Sequence, residues 1–222
     1  MFRRDNNRRS STMAAATLAV GLVVVGIHGC GPLNHTVKLS MVPEDSRVDV
    51  EPLKAESDAA KGDHDEAVSA MRRSKKPVEE AEAALKSAEH LLEVAEVAVD
   101  MARAVEKTGE DADVAAAKTS AKEAKRRVRI AKAALGVEEA RRKLLIQLES
   151  ETEAVWVLAL ASYEAAKAAR VTSEASSWPK KQSKIEAQLD TKTAALAKEQ
   201  ARSAKMARKL EKAQNKLVDA QG

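Results

Sequence analysis

KKPVEEAEAALKSAEHLLEVAEVAVDMARAVEKTGEDADVAAAKTSAKEAKRRVRIAKAALGVEE, residues 75–139, carries a seven-residue apolar repeat on each side of Thr108-Gly109. On the first arm Val78, Leu85, Leu92 and Val99 continue a series begun at Met71, with Ala81, Ala88, Ala95 and Ala102 between them. On the second arm Val114, Ala121, Val128 and Leu135 alternate with Ala117, Ala124 and Ala131. Such a repeat marks a helix that buries a narrow seam against another helix. Folding the chain back at Thr108-Gly109 sets Leu85 against Ala131, Ala88 against Val128, Leu92 against Ala124 and Val99 against Ala117. Pairing one larger side chain with one alanine is what close antiparallel packing needs. The same register faces Lys75 with Glu139, Glu82 with Lys132, Glu89 with Lys125, Glu96 with Lys118 and Arg103 with Asp111. All five pairs are opposite in sign, and at about 0.2–1 kcal/mol each they select orientation more than they stabilise. The expected fold class is all-α: a long antiparallel coiled-coil hairpin over 53–176 with its turn at 108–109, then a third, C-terminal basic helix over 177–222.

Composition supports this class. Only 2% of the 222 residues are aromatic and 32% are charged, and an alanine-, lysine- and glutamate-rich chain with heptads reads as long helix. The net charge of +4 is unevenly placed. Residues 1–29 hold four arginines against one aspartate, and the remainder holds 34 basic and 33 acidic side chains. The basic balance therefore gives no support to nucleic-acid binding. Within the remainder, residues 31–109 carry eleven basic and seventeen acidic side chains, while the segment after Pro179 carries eleven basic and five acidic. That complementarity suits the third helix lying beside the lower half of the first. A helix of its length should climb to the level of Leu135 and Ala81, leaving about 35–40 Å of hairpin projecting beyond it.

The first thirty residues have the layout of a secretory leader: Arg3, Arg4, Arg8 and Arg9, then an apolar run from Met13 to Ile27 that is short for a membrane span. The run ends Ile27-His28-Gly29-Cys30, and Cys30 is the chain's one cysteine. This resembles the processing box of bacterial lipoproteins, with His28 standing where a small or aliphatic residue is usual. The resemblance implies cleavage of the signal peptide 1–29 and diacylglycerol attachment at Cys30. It also implies a lipid anchor (palmitate-type acylation) in the bacterial cell envelope. Gly31 rather than aspartate after the cysteine resembles lipoproteins sorted to the outer membrane, facing the periplasm. Residues 30–52, with Pro32, Pro43 and Pro52, read as a linker holding the helices off the bilayer.

Pro77 should kink or restart the first helix. Beyond Gly136 the second helix is expected to run its seam through Leu145, Leu148, Val155, Ala159, Ser162 and Ala166 as far as about Ser176. Ser177-Trp178-Pro179 reads as a cap and restart. The third helix should then bury Ile185, Leu189, Leu196, Met206, Leu210, Ala213 and Leu217.

Near the hairpin tip a second apolar stripe, Leu91, Val94, Ala98, Met101 and Val105, is spaced by threes and fours. Nothing within the chain is expected to cover it, so it is the candidate partner-binding surface, for self-association or another helical envelope protein. Catalytic, cofactor-binding and metal-binding residues are not expected. Asp63-His64-Asp65-Glu66 reads as a solvated acidic turn near Gly62, since consecutive helical residues point apart. The cluster Lys122, Lys125, Arg126, Arg127, Arg129 and Lys132 lacks aromatics for stacking and reads as a solvated coiled-coil face. Trp156 and Tyr163 read as core anchors at the membrane-proximal end. No phosphate loop, nucleophile triad or zinc spacing is present, so neither an enzyme nor a small-molecule binder is expected. A lipoprotein box joined to an α-hairpin resembles, over the hairpin alone, the periplasmic membrane-fusion adaptors and the outer-membrane efflux factors. That likeness implies an alternative role as accessory subunit of an efflux or secretion machine, although the turn Lys107-Thr108-Gly109-Glu110 lacks the Arg/Leu/Ser pattern of adaptor tips.

Overall fold

The computed structural model describes residues 33–108, 113–171 and 177–222. A 3-10 turn at Leu39–Met41 and a one-turn helix α1 (Glu44–Arg47) lead into α2 (Glu51–Arg73), α3 (Lys75–Lys107), α4 (Val114–Arg170) and α5 (Trp178–Gln221). The described residues contain no strand. The fold is all-α, a long antiparallel hairpin with a third helix packed on it.

Proline placement explains two boundaries. Pro52 lies in the first turn of α2 and Pro77 in the first turn of α3, where a missing N–H removes no intrahelical bond. The first arm therefore restarts at Ser74, not at the proline. The Ser74 hydroxyl donates to the Met71 carbonyl at 2.6 Å, closing the end of α2. Asp113 caps α4 by accepting the Ala116 N–H at 2.8 Å, a bond that satisfies one of the orphan donors of a helix start. Gly109 lies outside the described residues.

The seam is built from the expected side chains. Val78, Ala88, Ala95 and Val99 of α3 and Val114, Ala121 and Ala124 of α4 are buried. Ala95, Val99, Ala121 and Ala124 form one cluster, with Leu92 and Ala117 against it. The charges on its flanks arrange themselves differently from expectation. Lys125 reaches Glu96 at 3.1 Å, not Glu89. Arg103 holds Asp100 of its own helix at 3.5 Å, and its expected partner Asp111 lies outside the described residues. A lysine stem spans carboxylates on either side of its own height. The buried stripe thus selects the pairing of the helices, and the exposed charges adapt to it.

Helix α4 is the common neighbour of α2, α3 and α5, and α5 makes little contact with α2 or α3. The expectation that the third helix lies beside the first is corrected: it lies along α4. Gln147 of α4 donates to Glu199 of α5 at 2.7 Å, and Arg126 donates to the carbonyl of Gln221. Because α4 ends at Arg170, not near Ser176, α5 begins higher and its 44 residues climb to the level of Arg126. Along α3 the stretch beyond that level, residues 90–107, is about 25 Å long, against the 35–40 Å expected.

Past Gly136 the buried line of α4 is Ala154, Val157, Ala161 and Ala168, whereas Val155 is exposed. A helix packed between two neighbours buries the line shared by both contacts, so a single-seam reading misplaces its phase. On α5, Ile185 is fully buried and the other expected apolar positions are half-buried.

Candidate functional site

Two ends of the rod carry features that packing alone does not explain. At the base, Glu164 and Lys167 sit one turn apart on the buried line of α4, with side chains only 9% and 7% exposed. Their charges meet at 2.7 Å. Between them they take both polar groups of one backbone residue. The Val37 N–H donates to Glu164 Oε2 at 2.6 Å, and Lys167 Nζ donates to the Val37 carbonyl at 2.8 Å. The Lys167 ammonium also lies 4.3 Å from the Tyr163 ring centre, a favourable placement over the ring quadrupole. Burial and the Glu164 and Asp58 charges raise the Tyr163 hydroxyl above its ordinary pKa of 10.0.

Gln188 of α5 completes the hold. Its Oε1 accepts the N–H groups of Asn34 and His35 at 2.9 and 3.2 Å, and its Nε2 donates to the His35 carbonyl at 3.3 Å. The Val37 side chain enters a buried cluster with Ala168, Trp178 and Ile185. Val42 and Val50 are buried as well, and Asp49 pairs with Arg170 at 3.3 Å. The stretch read as a linker holding the helices off the bilayer is, from residue 34 onward, strapped across α4 and α5. Buried charges are costly unless paired and fully hydrogen-bonded, and the strap supplies the partners that complete this pair.

At the other end, Leu91, Val94, Met101 and Val105 are exposed, Met101 by 65% and Val94 by 53%, and Ala98 beside them is exposed too. Val97, 53% exposed, widens the stripe. Cys30 lies outside the described residues.

The remaining sequence features fall into place around these ends. Asp63 to Glu66 lie inside α2, as does Gly62, so the expected acidic turn is a helix face. His64 stacks on Trp156 with ring centres 5.7 Å apart. Nearby, burial raises the Glu153 carboxyl above its ordinary 4.5; Glu149 adds to this, and His64 and Lys192 oppose it. Among the described residues no group of His, Cys, Asp and Glu is arranged to hold a metal, and no helix is long and apolar enough to cross a membrane. Trp156 and Tyr163 are half-buried on the basal half of α4. Glu164, Lys167 and Gln188 escaped sequence reasoning. Their one signal is that Ala161, Glu164 and Ala168 share a helix face, which puts a charge on an apolar line.

Comparison with known protein families, with curated proteins and with solved structures gives no match for this chain.

Proposed function

We propose that this chain is a lipid-anchored envelope coiled-coil protein that acts as a spacer, scaffold or assembly adaptor through helix–helix contacts. Cys30 would carry the lipid, at the outer membrane and facing the periplasm. The observation that carries the reading is the placement of the two ends. The strap that follows Cys30 is held at the base, and the uncovered stripe Leu91–Val105 lies at the tip. Three residues lie between Cys30 and Asn34, and the four Cα–Cα steps reach at most about 14 Å. The 57 residues of α4 span about 85 Å. An anchor at Cys30 thus stands the rod on its base and presents the stripe at a set height above the bilayer. Two or three acyl chains hold such an anchor firmly, at about 0.8 kcal/mol per buried methylene.

The test is a pair of variants of the full chain. Cys30→Ser should shift the protein from the membrane to the soluble fraction, and continued membrane retention would remove the lipid anchor. The double change Val94→Glu with Met101→Glu should abolish its cross-linked complexes in the envelope while leaving helicity by circular dichroism intact. An unchanged cross-linking pattern would remove the stripe as the contact surface.

A further inference from the structure

Seen along α4, Lys118, Lys122, Lys125, Arg129 and Lys132 form one stripe with helical spacing, and Lys205, Lys209, Lys212 and Lys216 form another on α5. Across the hairpin the sequence answers such lysines with acids, as Lys125 with Glu96 shows. Across the α4–α5 contact it does not. The antiparallel docking of α5 brings Arg129 and Lys132 to one wall of a cleft of about 690 Å³ and Lys209, Lys212 and Lys216 to the other. Asp219 is the one carboxylate among the lining residues. None of the five cations is within ion-pair distance of a carboxylate among the described residues. Small residues, Ala133, Gly136 and Ala213, line the cleft between the charged walls and leave it open.

We propose that this cleft binds a linear phosphate polyanion, one strand lying lengthwise between α4 and α5. Three properties of the cleft select this class. Five like charges facing one another across a gap repel, and a strand of regularly repeated negative charge relieves that repulsion along its whole length. The cations are mostly lysines, compact point charges suited to phosphate oxygens rather than to bidentate recognition of one planar group. No aromatic side chain lines the cleft, so it offers no platform for stacked bases and favours a strand without them. The basic cluster of α4, when considered without α5, is an ordinary solvated face. It becomes a site because α5 presents a second basic wall at the same height.

The experiment titrates the full chain, held in zwitterionic nanodiscs, with inorganic polyphosphate by calorimetry at several salt concentrations. Five contacts predict that log K falls with log salt at a slope of about −3.5 for a single strand. The triple change Lys209→Glu, Lys212→Glu and Lys216→Glu should weaken binding at least about a hundredfold, by the counterion logic of losing most of these contacts. The triple change Lys180→Glu, Lys184→Glu and Lys198→Glu, an equal charge reversal elsewhere on α5, should leave affinity within a few fold. If the first variant loses helicity, its Lys→Gln counterpart takes its place, with the same direction expected. Absence of polyphosphate binding, or equal losses in the two triple variants, would overturn the proposal. So would tighter binding of single-stranded DNA than of polyphosphate, or binding confined to vesicles containing anionic lipid; these results would assign the cleft to nucleic acid or to headgroups respectively.

Discussion

Lys167 is the single side chain on which most of the base depends. Its ammonium meets Glu164, the Val37 carbonyl and the Tyr163 ring within one buried volume. Changing Lys167→Met would leave the Glu164 carboxylate buried against a backbone donor alone. Removing one partner of a buried pair costs about 3–5 kcal/mol, so the variant's unfolding midpoint in urea should fall by a corresponding amount. The strap should also become sensitive to protease between residues 33 and 50, which intact mass of the fragments would locate. Glu153 makes the opposite kind of prediction. Its carboxyl titrates above its ordinary range because burial, helped by Glu149, disfavours the charged form. The folded state therefore holds this proton after the unfolded state has released it. Its contribution is most favourable below the ordinary carboxylate pKa and is lost as pH rises through the raised one. Glu153→Gln should accordingly raise the melting temperature near neutral pH and change it little in acid, as a pair of thermal scans would show.

Among elements, the hairpin was legible and the bundle around it was not. A strict heptad with alanine at alternate core positions describes a helix with one neighbour, and α3 has one over most of its length. The same reading misplaced Val155 because α4 touches α2 and α5 there, and a helix between two partners blurs its own period. The docking of the strap was invisible for another reason: Glu164, Lys167 and Gln188 recognise backbone atoms of residues 34–37, and backbone contacts leave no trace in the composition of the segment recognised. The stripe Leu91–Val105, by contrast, was readable because its exposure follows from lengths and helical angles alone. Close approach of α3 and α4 rests on alanine at Ala121 and Ala124. Ala121→Leu inserts three carbons where Ala121 packs against Ala95 and Val99. Overpacking of this kind costs about 1–3 kcal/mol, to be read as a lower denaturation midpoint with helicity retained at low denaturant.

For the whole molecule, the consequence of these contacts is a slender rod, not a compact bundle. One helix, α4, runs from base to tip, and the others are laid along it: α2 and α3 end to end, and α5 as far as Arg126. Straight alanine-rich helices of this kind enclose little space from which water is excluded. It also separates three surfaces along one axis: a strapped base, a basic cleft on the α4–α5 flank, and an apolar tip. Every one of these placements depends on the chain doubling back so that α3 lies antiparallel on α4.

Cysteine cross-linking within the Ala95 contact tests that return most directly. In a Cys30→Ser background, Ala95→Cys is combined in turn with Ala121→Cys and with Ala124→Cys, and each purified protein is oxidised and run without reductant. At least one pair should form an intramolecular bridge that reducing agent reverses. If neither pair bridges while circular dichroism shows both proteins helical, α3 does not lie on α4 in this way, and the height and exposure assigned to the tip are wrong.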